Sequence, residues 1–176
     1  MSEEGKEAKL EETIKKPKEK KNRDYLPIEN LAVIDATNLI LGRLASVVAN
    51  RLLRGEKIAI INAEKAVITG KRSAVISKYK SRLEIRTHTA PWKGPFHYRR
   101  PDRIVKRTIR GMLPWKKPKG KAAYKRLRVY IGTPEFYSQV SAQTITDAHV
   151  KKTDSSYITV ETLSREIGWV PPSDRI

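Results

Sequence analysis

The first apolar run of note spans 31–36, LAVIDA, and is uncharged until Asp35. Its Val and Ile predict a short buried strand. Asp35 and Asn38 follow as turn or helix-start residues. From 41 to 54 the period changes: at about 100° per residue, Leu41, Leu44, Ala45, Val48 and Leu52 share one face, and Arg43, Asn50 and Arg54 lie opposite. That pattern predicts an amphipathic helix, with Gly55 as its stop. A second buried strand is predicted at 57–62 (KIAIIN), with 66–69 extending it as a short hairpin element. A second helix is predicted over 71–83, where Ala74, Val75, Tyr79 and Leu83 form the apolar stripe.

Residues 87–101, THTAPWKGPFHYRRP, hold three prolines and one glycine and predict a loop with aromatic side chains set among basic ones. Further helices are predicted at 102–113 and 121–127, then a buried strand at 128–131 (RVYI), ended by Gly132-Thr133-Pro134. Residues 133–158 read as irregular and polar, and a short helix is predicted near 161–167 with Gly168 as its stop. Strands alternating with helices imply an α/β layer fold with a mainly parallel sheet. The pattern divides the chain into a disordered charged tail at 1–24, an α/β core at 25–132 and a C-terminal extension at 133–176, its short helix packed on the core or on partners. The tail has no apolar h-region, and no stretch approaches the roughly 18 apolar residues that span a bilayer. The chain is therefore expected to be soluble and intracellular.

Charge changes the picture more than composition does. Of 176 residues, 37 are Lys or Arg and 19 Asp or Glu, a net +18, and there is no cysteine. The missing cysteines exclude a disulfide framework, a thiol nucleophile and a cysteine-ligated zinc site. The excess is concentrated: residues 71–128 carry 20 basic side chains and only two acidic ones, Glu84 and Asp102. Cations segregated in this way call for a polyanionic partner, first of all a phosphate backbone whose condensed counterions are released on binding.

Motifs for small-molecule chemistry fail when tested. After the first strand, DATNLILGR has one glycine where a dinucleotide loop needs three. KAVITGKR at 65–72 lacks both the first glycine and the final Ser or Thr of a phosphate-binding loop. Gly70-Lys71 instead suits a turn into a helix, whose N-terminus can still hold an RNA phosphate. His88, His97 and His149 lie in no metal-ligand spacing, and no GxSxG is present. Asp35 ends a strand, where catalytic acids occur in α/β folds, but helix capping is the simpler account.

The stretch at 99–121, RRPDRIVKRTIRGMLPWKKPKGK, is the most informative. On a helix over 102–113, Arg103, Lys106, Arg107 and Arg110 fall within an arc of about 100°, with Ile104, Val105, Ile109 and Met112 on the other side. Such a helix buries one face and offers a phosphate track on the other, where Arg can bind phosphate bidentately. Residues 115–121 read as an extended basic loop. Its Trp115 can stack on an unpaired base or fill the edge of the core. His88 and His97 serve equally well as RNA contacts or as plain polar loop residues. The candidate RNA-binding set is Lys71, Arg72, Lys78 and Arg86; His88, Trp92, Lys93, His97, Arg99 and Arg100 in the loop; Arg103, Lys106, Arg107 and Arg110 on the helix; and Lys116, Lys117, Lys119, Lys121, Lys125 and Arg126 beyond it. No cofactor, metal, membrane or small-molecule substrate is expected.

DATNLILGRLAS at 35–46, INAEKAVITG at 61–70 and RTIRGMLPWKKPKGKAAYKRLRVYIG at 107–132 together resemble the L-thirteen family of large-subunit ribosomal proteins. RGMLP at 110–114 is the most distinctive string, and LGRLA at 41–45 supports it independently. HYRRPDRIVKRTIRGMLP and the SREIGW ending are similar to the archaeal and eukaryotic branch. The resemblance implies a three-layer α/β/α fold with a four-stranded parallel sheet. It also implies a structural role in the cytoplasmic ribosome, with large-subunit ribosomal RNA and neighbouring ribosomal proteins as partners, and participation in early subunit assembly. The alternatives from other classes are a nucleotide-dependent or RNA-modifying α/β enzyme, which would need a cofactor loop or paired acid and base, and a DNA-binding architectural protein.

Overall fold

Residues 31–151 and 156–171 are described by a computed structural model. The tail expected at 1–24 lies outside the described residues. β1 (Leu31–Asp35) leads through a tight turn into α1 (Leu41–Arg54), whose buried side chains are the predicted Leu41, Leu44, Ala45, Val48 and Leu52, with Ala49. Gly55 ends α1 at φ 109°, a left-handed conformation that glycine adopts without a Cβ penalty. β2 (Lys57–Ile61) then pairs with β1 in parallel, from Leu31 opposite Lys57 to Asp35 opposite Ile61. β3 (Val67–Thr69) and α2 (Arg72–Glu84) follow, then α3 (Pro101–Met112), α4 (Pro118–Lys125) and β4 (Leu127–Val129). β4 joins the free edge of β2, again in parallel, so the strand order is β1-β2-β4.

That order explains which face the helices occupy. Crossovers between parallel strands are right-handed, so a sheet that advances in one direction keeps its connecting helices on one side. Ile34, Ile58, Ile60 and Leu127 of the sheet accordingly form one core with Leu44 and Leu52 of α1 and Ile104, Val105 and Ile109 of α3. Strand residues of the opposite parity, Val33, Ala59 and Ile61, face the other way. They are covered by Tyr137, from a 3₁₀ turn at Glu135–Tyr137, with Tyr130 and Val140 beside it.

The sheet has three strands where four were expected. On the outer edge of β1 the fourth place is taken by one residue. Gln143 donates its N–H to the Val33 carbonyl at 2.8 Å and accepts from the Asp35 N–H at 3.1 Å. Its neighbours Ser141, Ala142 and Thr144 are exposed and offer no apolar face to hold a longer strand against the core. The hairpin expected at 66–69 is also corrected. β3 pairs antiparallel with β5 (Tyr157–Thr159), in the segment that reads as irregular, and not with β2. A three-residue strand whose partner lies some ninety positions away leaves no local signature. α5 (Val160–Glu166) follows β5 directly. The Thr159 hydroxyl accepts from the Thr162 N–H at 3.2 Å, and Gly168, at φ 90°, closes the helix.

Asp35 braces the turn between β1 and α1; it does not cap the helix. The N-cap is Ile40, without a side-chain bond. Asp35 Oδ1 accepts from the Thr37 N–H at 3.0 Å, the Thr37 hydroxyl at 2.7 Å and the Asn62 amide at 3.0 Å. Burial alone would raise this carboxyl, but the Asn62 and Thr37 bonds and the nearby Lys65 cation outweigh it and hold the group below its ordinary value. A carboxyl more acidic in the folded than in the unfolded chain contributes stability above its unfolded pKa, and that stability is lost as pH falls through the folded value. Thermal melts between about pH 6 and pH 3 should show a steeper acid loss for the wild type than for Asp35→Asn, which does not titrate. Parallel curves would show that the brace carries no such linkage.

Candidate nucleic-acid interface

The outer side of α3 is built by its inner side. Ile104, Val105 and Ile109 are buried, so Arg103 and Arg107 emerge fully and Lys106 and Arg110 in part. Pro101 starts the helix at a position where its missing N–H costs nothing, and Asp102 lies in the first turn, bonded to Arg100 at 3.1 Å. Met112, expected inside, is 43% exposed. The helix ends there, and Leu113 turns into the core in its place, its N–H bonded to the Arg110 carbonyl at 3.2 Å.

Beyond α3 the chain is more ordered than its composition suggests. Residues 115–121 do not form an extended loop: Trp115 donates to the Leu113 carbonyl at 2.7 Å, Lys117 donates to that of Pro114 at 3.0 Å, and Pro118 begins α4. The Pro and Gly that read as loop residues are a helix start and a close-packing site. A Cβ on Gly120 would lie 2.2 Å from the Pro114 carbonyl oxygen, so only glycine lets α4 press against the turn. Trp115 is half-buried, edge-to-face with Tyr124 at 5.1 Å between ring centroids, and capped by the Arg110 guanidinium 4.0 Å from its own centroid. Packing is therefore the use the fold makes of this ring.

α2 lies on the surface and buries no residue fully. Val75, Ile76, Tyr79 and Leu83 face the core, and Ala74, expected on that stripe, is exposed. Lys71, Arg72 and Lys78 are exposed, though Arg72 shares its charge with Glu166 at 2.8 Å. Between α2 and α3, Arg86, His88, Trp92, Lys93, His97, Arg99 and Arg100 are all exposed, with Trp92 at 71% and Phe96 at 73%. Arg86, Trp92, Phe96, His97 and Arg99 border a recess of about 330 Å³. The Arg99 guanidinium lies against Gly168, just past α5. Lys116, Lys117, Lys119, Lys121 and Lys125 are exposed around α4. Arg126 is placed differently: it is half-buried and donates to the Leu52 carbonyl at 2.7 Å, bracing the end of α1 from within.

Arg82 and the tyrosines beside these cations are not marked by charge or spacing in the sequence. Arg82 sits over the Tyr79 ring at 5.3 Å, Arg103 over Tyr98 at 5.6 Å and Lys106 over Tyr124 at 5.3 Å. Burial raises the Tyr79 and Tyr124 hydroxyls above their ordinary value, so both stay protonated at neutral pH. Alternating Arg and Tyr were visible in HYRR and AAYKR, but which cation lies over which ring depends on the helix packing.

The fold and these side chains define a small α/β protein whose exposed Lys and Arg are interleaved with aromatic rings along α2, the loop after it, α3 and α4. The sequence profile described as ribosomal protein L13 matches residues 29–135. The chain is 47% identical over 150 residues to the large ribosomal subunit protein uL13 of Methanopyrus kandleri, covering 82% of this chain and 91% of that protein. It is 47% identical to the uL13 protein of Archaeoglobus fulgidus, over 80% and 90% of the two chains, and 48% identical to that of Methanosarcina barkeri, over 78% and 98%. The chain belongs to the ribosomal protein L13 family.

Gly120 and Gly111 should respond oppositely to alanine. Gly120→Ala forces the Pro114 backbone aside and should cost about 1–3 kcal/mol. Gly111, in α3 with open space around it, should gain about 0.5–1 kcal/mol on the same change. Urea denaturation of both variants checks this, and equal shifts would show that the Gly120 contact relaxes without cost.

Proposed function

We propose that this protein is a structural component of the large ribosomal subunit, binding large-subunit ribosomal RNA and contributing to early subunit assembly and to translation in the cytoplasm. Its role is architectural, not catalytic, and its further partners are the ribosomal proteins adjacent to the same RNA. The observation that carries this reading is the segregation of 20 basic against two acidic side chains in 71–128, in a chain of this family.

The contacts fall on three patches. Lys71, Arg72, Lys78 and Arg86 approach from α2 and its exit. His88, Trp92, Lys93, His97, Arg99 and Arg100 approach from the loop, where Trp92 is free to stack on an unpaired base. Arg103, Lys106, Arg107 and Arg110, with the lysines of 116–125, form the phosphate-facing stretch. Arg126 acts from behind by holding α1 to the end of α4. Among the described residues, Arg103, Arg107 and Arg110 pair with no carboxylate, so their charge is available to phosphate.

Binding of a structured large-subunit RNA fragment across a salt series tests the reading. Each phosphate neutralised adds about 0.7–0.9 to the log–log slope, so Arg103→Gln combined with Arg107→Gln should lower the slope by about 1.5. A flat salt response in the wild type, or equal affinity for duplex DNA of the same length, would overturn it.

A further inference from the structure

α3 and the end of β4 enclose a groove of about 750 Å³ that the phosphate-track reading does not require. Its walls differ from the rest of the basic face. Tyr98, Tyr124 and Tyr130 line it together with Arg103 and Lys106, and Asp102 stands among them. The Asp102 side chain is 18% exposed and bonded to Arg100 Nε at 3.1 Å. A track for phosphate alone uses such rings only to order its cations, and it gains nothing from a carboxylate among them. A nucleotide uses all of these: the rings for its base, the carboxylate and hydroxyls for donors on a base edge or a ribose 2′-hydroxyl, and the cations for its phosphate. The volume lies within the range of small-ligand pockets, about 300–1,000 Å³. The position also fits, because ligands of α/β sheets settle outside the carboxyl ends of the strands, and Val129 and Ile131 at the end of β4 form the rim.

We infer that this groove receives one unpaired nucleotide of the bound RNA, with Tyr98 as its stacking surface. The inference rests on the RNA-binding reading above and adds to it a site specific for an unstacked base. Tyr98 is 41% exposed and held by Arg103 on one side, so its ring is both reachable and oriented.

The test uses the full-length protein and two hairpin RNAs, one with a single 2-aminopurine bulged from the stem and one fully paired. The wild type should bind the bulged RNA about tenfold tighter, the size expected of one base–aromatic stack, and quench the 2-aminopurine fluorescence. Tyr98→Ala should lose both the preference and the quenching and weaken binding of the paired stem by only about two- to fivefold, through loss of its contact with Arg103, and Tyr98→Phe should keep all three. If Tyr98→Ala melts below the wild type, Tyr98→Leu, which keeps the bulk but not the π face, carries the comparison. Equal wild-type affinity for the two hairpins, or a preference that survives the loss of the ring, overturns the nucleotide groove and leaves RNA binding standing. Failure to bind either hairpin at low salt overturns both. Adenosine monophosphate is the last arm: tighter binding of it than of the bulged RNA would assign the groove to a free nucleotide and overturn the proposal.

Discussion

The cationic face exists because α3 is anchored from behind. Arg103, Lys106, Arg107 and Arg110 are spaced three and four residues apart, and like charges at that spacing cost an isolated helix about 0.2–0.5 kcal/mol per pair. Burying Ile104, Val105 and Ile109 contributes about 1.5–3 kcal/mol each, several times the repulsion. The helix can therefore hold cations that would destabilise it alone, provided α1 and the sheet keep its apolar side covered. Every later feature of the interface is set relative to that helix, from the Arg110–Trp115 contact to the Gly120–Pro114 approach and the groove floored by Tyr124.

The winding of the sheet has a related consequence. With strands advancing β1-β2-β4, the connecting helices crowd one face and the other is left to the chain beyond β4. Tyr137, 1% exposed, closes it in edge-to-face contact with Tyr130 at 5.6 Å. Tyr130 thus serves both sides: it packs with the cluster over the second face and reaches the rim of the groove beside α3. The segment after 132, which looks like an appendage in sequence, completes the core. It lends Gln143 to the edge of β1, β5 to β3, and Leu163 and Ile167 to the main cluster.

What the sequence makes plain are the elements held together by local periodicity. α1 falls at 41–54 as its apolar spacing predicts, and α3 within one residue of its predicted span. The family strings pointed to the same ribosomal protein family that the comparisons identify. The losses have a common cause, which is distance along the chain. β3 and β5 are three-residue strands that exist only through each other. Arg126 looks like its cationic neighbours, and only the arrival of the α1 terminus beside it turns it inward. Pro118 and Gly120 carry the composition of a loop, but a proline that opens a helix and a glycine under a neighbouring backbone are equally good uses of the same residues.

The pairing of cations with rings explains how so much charge can be ordered before a partner arrives. A carboxylate would fix an arginine but cancel its charge, and only two acidic residues lie within 71–128. Arg110 over Trp115, Arg103 over Tyr98 and Arg82 over Tyr79 instead hold the side chain by the ring quadrupole, worth about 0.5–1 kcal/mol at exposed sites, and leave the full positive charge in place. Immobilising a long side chain on binding costs about 0.5–1.5 kcal/mol, so each aromatic brace offsets part of that cost in advance. The aromatic residues interleaved through this segment are thus part of its electrostatics: they let a surface this positive be stiff without being neutral.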